Sequence, residues 1–168
     1  LRINFAPATS EVGEGFAGDH GLQFDPARGF GWRGNVGTVD RNTGTLPELD
    51  TFALSSDRRE RSAQLPNGDY EVRVVAGDAA YSQGPHRITA EDTVLIDDLM
   101  TGAASFVENS VVVPVRSGVL VLGVGGAGVP ATQSDPIANA WDTPGNASLA
   151  GQPFGTYVPT GTGLTMIN

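Results

Sequence analysis

The clearest alternation of hydrophobic and polar positions lies in residues 65–78. Tyr70, Val72 and Val74 fall on one face of an extended chain, and an acidic and a basic residue fall on the other. This period of two is typical of a β-strand with one buried face. The Pro-Asn-Gly sequence just before the run predicts a hairpin loop that joins the strand to the preceding segment.

A second alternating pattern covers residues 111–124. Valines alternate before a Ser-Gly turn and leucines alternate after it, which predicts another hairpin. Leu120 and Leu122 are expected in the same core as the first run. Pro114 lies inside the first of these two strands. Because proline cannot donate to a β-ladder, this strand is expected at a sheet edge or at a bulge.

Shorter apolar stretches predict further strands, and no stretch has convincing helical periodicity. The candidate strands are residues 2–5, 22–24, 49–54, 86–90, 93–96 and 163–168. Residues 57–61 form a charge cluster, which is interpreted as a solvated loop. Trp32 follows two closely spaced glycines and is expected to be a core anchor rather than a ligand platform.

This pattern of short strands and frequent turns predicts an all-β protein folded as an antiparallel β-sandwich. The chain has 168 residues, with 23 Gly and 11 Pro, which is enough for one domain with a real core. Residues 125–162 are rich in Gly and Pro without clear periodicity. They are expected to form a long loop insertion within a single domain over 1–168.

Charge and composition remove several classes of function. The net charge is −9 and all ten basic residues are Arg, which argues against binding to nucleic acid or to an anionic membrane surface. The chain has no Cys and therefore no disulfide framework. No apolar run is long enough to insert into a membrane. A start at Leu1 is expected from a fragment or from removal of a leader, and a removed leader would fit a secreted protein.

The sequence offers no recognisable catalytic motif. His20 and His86 are the only histidines, and no Gly-x-Ser-x-Gly elbow accompanies them. Two histidines are too few for a three-histidine zinc site. Asp97 and Asp98 are adjacent, so on a strand they would point to opposite faces. We therefore expect that the protein is not an enzyme.

Loop carboxylates make calcium the one metal to consider, because calcium prefers oxygen ligands. Asp19, Asp25, Asp40 and Asp78 are the candidate ligands, although no EF-hand spacing is present. These acids are equally well explained as solvated loop residues.

Aromatic residues in loops are the visible signal for carbohydrate binding, since sugar rings stack on aromatic faces. The candidates by position are Tyr81, Trp141, Phe154 and Tyr157. Each of these rings could equally fold back onto the sandwich as a satellite core cluster.

The order of several short motifs resembles a malectin-like or galactose-binding-like carbohydrate-binding module of bacterial extracellular proteins. The most specific piece is Leu-Pro-Asn-Gly-x-Tyr-x-Val at residues 65–72, followed by Gly77 and Asp78. The other pieces are residues 3–5, 29–32, 40–42, 49–52, 118–120 and 163–168. The resemblance implies a jelly-roll β-sandwich, secretion, a structural calcium and a glycan ligand. The aromatic cluster with which malectin binds sugar has no residue-by-residue match here.

A different class of function uses the same fold. The chain could be a self-assembling structural subunit of an extracellular fibre or surface layer at the cell surface. Exposed edges are expected at the first strand, residues 2–5, and at the last, residues 164–168, because unpaired strand edges attract further strands. Such a protein would be a homo-oligomer or a polymer.

Overall fold

The computed structural model describes residues 1–126 and the backbone of residues 165–167, and it is all-β apart from one short helix. The elements in chain order are β1 (Ile3–Phe5), β2 (Ala17–Asp19), β3 (Phe30–Trp32), β4 (Gly37–Asp40), α1 (Pro47–Asp50), β5 (Thr51–Ser55), β6 (Arg59–Gln64), β7 (Gly68–Asp78), β8 (Gln83–Ala90), β9 (Thr93–Thr101), β10 (Ser105–Val115), β11 (Val119–Val124) and β12 (Thr165–Ile167). The predicted fold class is confirmed.

The strands form one large antiparallel sheet and several smaller ladders. The five-stranded sheet has the order β3-β6-β11-β8-β9, and a three-stranded sheet has the order β12-β5-β4. β7 pairs with β10 along the full length of both strands, and β12 also lies close to β7. β1 and β2 form a short parallel pair. Among the described residues, no helix is long and apolar enough to cross a membrane.

The hydrophobic core joins side chains from the five-stranded sheet to side chains from the β7–β10 pair. Val72 and Val74 are 8% and 5% exposed, and Leu120 and Leu122 are each 8% exposed. Tyr70 is partly buried and packs against the same cluster. The predicted register of both alternating runs is therefore confirmed.

The two predicted hairpins are wrong, because each turn carries the chain from one sheet to another. β6 pairs with β3 and β11, whereas β7 pairs with β10, so the turn at residues 65–67 joins strands of different ladders. β10 and β11 are likewise not partners. The local turn residues determine where the chain reverses, but pairing depends on partners distant in sequence.

The two sheet-changing turns are hydrogen-bonded to each other. Gly118 N donates to Asn67 Oδ1 at 2.9 Å, and Leu65 N donates to Gly118 O at 3.0 Å. The turn-forming residues thus join two crossings between the sheets at one end of the molecule.

Proline and tryptophan occupy the environments that their chemistry predicts. Pro114 lies on β10, opposite Asp69 of β7. In the described part of the chain, β10 pairs only with β7. Trp32 is 1% exposed, and its ring meets that of Phe5 edge-on at 5.7 Å. An added Cβ at Gly31 would lie 2.5 Å from Phe24 Cα, so the backbone approaches as closely as predicted.

Three local assignments need correction. Residues 22–24 form only an isolated bridge at Gln23 and not a strand. The strand predicted to begin at Leu49 begins at Thr51, because Pro47 opens a single helical turn, where a proline at the first position is tolerated. The charge cluster at residues 57–61 is largely strand rather than solvated loop, since β6 begins at Arg59. The predicted strands at both ends of the chain are present as β1 and β12.

Candidate functional site

One of the three arginines in the charge cluster at residues 57–61 has its side chain inside the sandwich. Arg61 pairs across the sheet with Trp32 and Leu122, and its side chain is 3% exposed. Its Nε donates to Asp19 Oδ2 at 2.8 Å. Burial lowers the pKa of the Arg61 guanidinium, and the nearby Asp19 carboxylate offsets part of this shift. The interior therefore contains an ion pair at a position predicted to be solvated.

Asp19 is completely buried and accepts three hydrogen bonds. Besides Arg61, it receives Trp32 Nε1 at 3.1 Å and Gly21 N at 3.0 Å, both at Oδ1. The Arg61 guanidinium lies 5.0 Å from the centre of the Phe30 ring and 5.6 Å from that of Phe5. Asp19 thus links β2 to β3 and β6, and protein donors already satisfy its carboxylate.

A second ion pair lies at the loop end where β7 stops. Asp78 is completely buried, and Arg41 Nε donates to both of its oxygens at 3.0 Å. Arg41 Nη2 donates to Oδ2 at 2.6 Å. The geometry is the planar fork that makes arginine–carboxylate pairs strong and directional. Asp78 also accepts from Ala80 N, Tyr81 N and Gln83 Nε2, which fixes the loop after β7.

Tyr81 projects from this fixed loop and is 59% exposed. Its ring lies over the Arg41 guanidinium at 4.7 Å, and the buried Phe52 ring lies 5.1 Å from the same guanidinium. Cation–π contact with a partly buried cation restrains an otherwise mobile side chain. We call Arg41, Phe52, Asp78 and Tyr81 the Tyr81 platform.

The loop that carries Arg41 is fixed from its other side. Asp50, at the end of α1, accepts Thr43 N at 2.8 Å and Thr43 Oγ1 at 2.7 Å. Gly44 N donates to the same carboxylate at 3.3 Å, and Arg41 N donates to Asp50 O at 2.9 Å. Both loops of the Tyr81 platform are therefore held by buried acids.

The four predicted calcium ligands are engaged separately by protein donors. Asp19 and Asp78 pair with Arg61 and Arg41, as described above. Asp25 accepts Ala27 N at 2.8 Å, and Asp40 accepts Asn42 N at 2.7 Å. Among the described residues, no group of three or more His, Cys, Asp or Glu is arranged to hold a metal.

Only one predicted sugar-stacking residue, Tyr81, falls within the described residues. Trp141, Phe154 and Tyr157 lie outside them, together with nearly all of the long loop predicted at about 125–162.

The two histidines contact neutral oxygen atoms. His20 Nδ1 lies 2.9 Å from Ala6 O, and His86 Nε2 lies 2.9 Å from Thr101 Oγ1. His86 is completely buried, and the loss of hydration lowers its pKa to about 4. Such an imidazole is neutral near pH 7.

The two adjacent aspartates do not point to opposite faces as expected. Arg87 Nη1 hydrogen-bonds Asp97 Oδ1 and lies 4.0 Å from Asp98 Oδ1. Asp98 has a φ of 49°, in the left-handed region, and this breaks the alternation of the strand. Both acids consequently approach one nearly buried arginine.

Arg41 and Arg61 are the residues that sequence reasoning missed. The burial of Arg61 could have been predicted from the sequence. Arg61 lies two residues before Ala63 on the same strand, so both side chains point to the same buried face. Arg41 follows a short, partly exposed strand, and nothing near it in sequence indicates its pairing with Asp78.

Comparison with known proteins gives no relative. No protein-family model, no curated protein and no solved structure matches this chain.

Proposed function

We propose that the chain is a non-catalytic carbohydrate-binding module and that the glycan binds at the Tyr81 platform. The observation that carries this proposal is an exposed tyrosine ring held in place by a guanidinium, which is itself fixed by a buried carboxylate. Sugar rings stack on aromatic faces, and a restrained ring loses little side-chain entropy when a ligand binds.

The polar groups beside the ring suit recognition of hydroxyl groups. Arg41 is 24% exposed, and its Nη1 is not among the atoms that bind Asp78. It is therefore the donor proposed to bond a sugar oxygen next to the stacked ring. Asp78 positions Arg41 and Tyr81 rather than contacting the glycan, since it already accepts bonds from both loops.

This proposal keeps the secreted, extracellular setting implied by the resemblance, but it does not depend on calcium. Because protein donors already hold the Asp78 carboxylate, we do not expect a metal to be needed to fix the Tyr81 platform. We therefore expect glycan binding to persist after treatment with a chelator.

A glycan array followed by calorimetry tests the site with Tyr81→Ala. Removal of a stacking ring costs about 1–3 kcal/mol of binding free energy, which corresponds to about 5- to 150-fold in affinity. The melting temperature should change little, because the ring is mostly exposed. The matched control is Leu22→Ala, which truncates another exposed apolar side chain on a different loop. Unchanged glycan binding by Tyr81→Ala, or no glycan bound by the native chain, would contradict the proposal.

A second candidate function, self-assembly into an extracellular structure, is favoured by one observation. β9 is the end strand of the five-stranded sheet and carries Leu99 and Met100, which are 43% and 56% exposed. An end strand with apolar side chains is a surface on which another strand can pair. β1 and β12, where the sequence predicted exposed edges, are also end strands, of the β1–β2 pair and of the three-stranded sheet.

Sedimentation velocity tests self-assembly over a range of protein and salt concentrations. The charge of −9 opposes association at low salt, so larger species should appear as ionic strength rises. Met100→Lys should shift the distribution back to monomer, whereas Leu22→Lys should not. A single monomer boundary at every concentration and salt level would exclude this function.

A further inference from the structure

Three buried polar residues lie together where β8 begins and β9 ends. Gln83 is directly opposite Thr101 in the β8–β9 ladder, and opposite residues of paired strands project to the same face. His86 follows on β8. Gln83, His86 and Thr101 are 4%, 0% and 7% exposed. The three side chains are therefore shielded from solvent at one end of this strand pair.

Thr101 and His86 form a hydroxyl–imidazole pair. Thr101 Oγ1 lies 2.9 Å from His86 Nε2. The buried imidazole is neutral near pH 7, and in the tautomer protonated at Nδ1 its Nε2 accepts the hydroxyl proton. The same Oγ1 lies 3.4 Å from the main-chain oxygen of Gln83. The hydroxyl is thus next to both a base and residue 83, and a hydroxyl beside a base is the arrangement of an activated nucleophile.

The Gln83 side-chain amide is held through its nitrogen. Nε2 donates to Oδ2 of the buried Asp78 carboxylate at 3.3 Å. Oε1 is buried and has no hydrogen-bond partner among the described residues. A buried amide oxygen without a partner is costly, and an ester oxygen costs less there because it is the weaker acceptor. The surroundings of Gln83 therefore suit an ester better than an amide.

We propose that Thr101 and Gln83 form a side-chain ester cross-link between β9 and β8. Thr101 Oγ1 attacks Gln83 Cδ while His86 Nε2 takes the hydroxyl proton. The Oγ1–Cδ bond forms and the Cδ–Nε2 bond breaks. His86 passes the proton to the departing nitrogen, which leaves as ammonia. The reaction needs no other reagent, because the fold holds all the reacting groups as neighbours.

The cross-link fastens an end strand of the five-stranded sheet. β9 has no partner beyond β8 in that sheet, and the β8–β9 register is irregular between Gln83 and Thr89. A bond between residues 83 and 101 closes a loop in the unfolded chain and lowers its entropy, which stabilises the folded chain. The reaction occurs once in each chain, so it is compatible with a non-catalytic module. It does not depend on glycan binding at the Tyr81 platform.

Mass spectrometry of the folded full chain tests the cross-link. The intact chain, fresh or after prolonged incubation, should be lighter than its sequence by one ammonia. Cleavage after arginine places Gln83 in residues 74–87 and Thr101 in residues 88–116, so these two peptides should be recovered joined. Hydroxylamine should separate them, because it cleaves esters. A chain of full mass, with the two peptides always separate, would overturn the proposal.

Variants assign the roles of the individual groups. Thr101→Ser keeps a hydroxyl and should keep the joined peptides, whereas Thr101→Val should have the full mass. His86→Gln removes the base and should slow cross-linking about 100-fold or more. The matched control is Thr93→Val, which removes an exposed hydroxyl at the other end of β9 and should react as the native chain does.

Ring closure at the Asn67–Gly68 bond also releases ammonia, so the position of the loss decides the outcome. A mass deficit that persists in Thr101→Val would place the reaction elsewhere and contradict the cross-link. An unchanged rate in His86→Gln would contradict the role of His86. Circular dichroism checks that each variant is folded, and the joined peptides of the native chain and of Thr101→Ser decide the question even where Thr101→Val does not fold.

Discussion

At the scale of single residues, the protein buries the Arg61 guanidinium in its interior beside a defined acid, Asp19. Arg61 and Asp19 are 3% and 0% exposed, and two aromatic rings flank the guanidinium. Removing one partner of a buried pair leaves an uncompensated charge, which is far more costly than the net value of the intact pair. The intact pair thus links β2 to β6.

Replacement of Asp19 by asparagine should destabilise the fold by about 3–5 kcal/mol, because the Arg61 charge would remain buried without its carboxylate. Urea unfolding measures the change. The matched control is Glu108→Gln, which removes the acid of the exposed Arg73–Glu108 pair, where the side chains are 66% and 49% exposed. We expect little change there, since solvent screens exposed pairs. Similar losses in both variants would contradict the assigned role of Asp19.

At the scale of elements, the β7–β10 ladder contains valines that differ widely in their exposure to solvent. Val74 is 5% exposed and belongs to the core, whereas Val112 on the partner strand is 65% exposed. Both positions are valines in regular antiparallel pairing. Their environments differ because alternate side chains of a strand point to opposite faces of the sheet.

Val74→Asp should abolish cooperative folding, because it buries an unpaired carboxylate in the core. Val112→Asp should leave the cooperative transition in place, since the same carboxylate would be in water. Circular dichroism during thermal unfolding distinguishes the two. A soluble, cooperatively folding Val74→Asp variant would disprove the register of β7.

At the scale of the whole molecule, folding stability should depend on the protonation of His86. Its pKa is about 4 in the folded chain against 6.5 for the ordinary side chain. Between these values the unfolded chain binds a proton that the folded chain does not. The contribution of His86 is therefore complete above about pH 6.5, falls as the pH drops, and is lost below about pH 4.

The expected loss between pH 7.5 and pH 4 is up to about 3 kcal/mol, from the size of the shift and the free energy of one pKa unit. Urea unfolding at half-unit steps of pH measures it. Arg73 also lowers the pKa of the Glu108 carboxyl, so the slope is best taken above pH 5. His86→Gln should flatten this slope, whereas His20→Gln should retain it; an unchanged slope in His86→Gln would count against the assignment.

Several features of the candidate site were open to prediction and others were not. Tyr81 was predicted as an aromatic residue in a loop, and its side chain is 59% exposed in the structure. The restraint on that ring by Arg41 and Asp78 had no local signal, because the two residues are 37 positions apart. Likewise, Asp19 was predicted as a metal ligand, but its carboxylate binds Trp32 and Arg61, which only folding brings near, as well as the neighbouring Gly21 N.

What the sequence determined by itself is the all-β class and the buried faces of its two clearest alternating runs. Alternation in residues 65–78 and 111–124 placed Val72, Val74, Leu120 and Leu122 in the core, and Trp32 lies there too. This information is local, because the period of a strand follows from backbone geometry within a few residues. What only the tertiary structure decided is pairing: β7 with β10 rather than β6, and Arg61 with Asp19 rather than solvent. Pairing depends on which segments, distant in sequence, come together when the sheets pack. The local sequence around each strand does not contain that information.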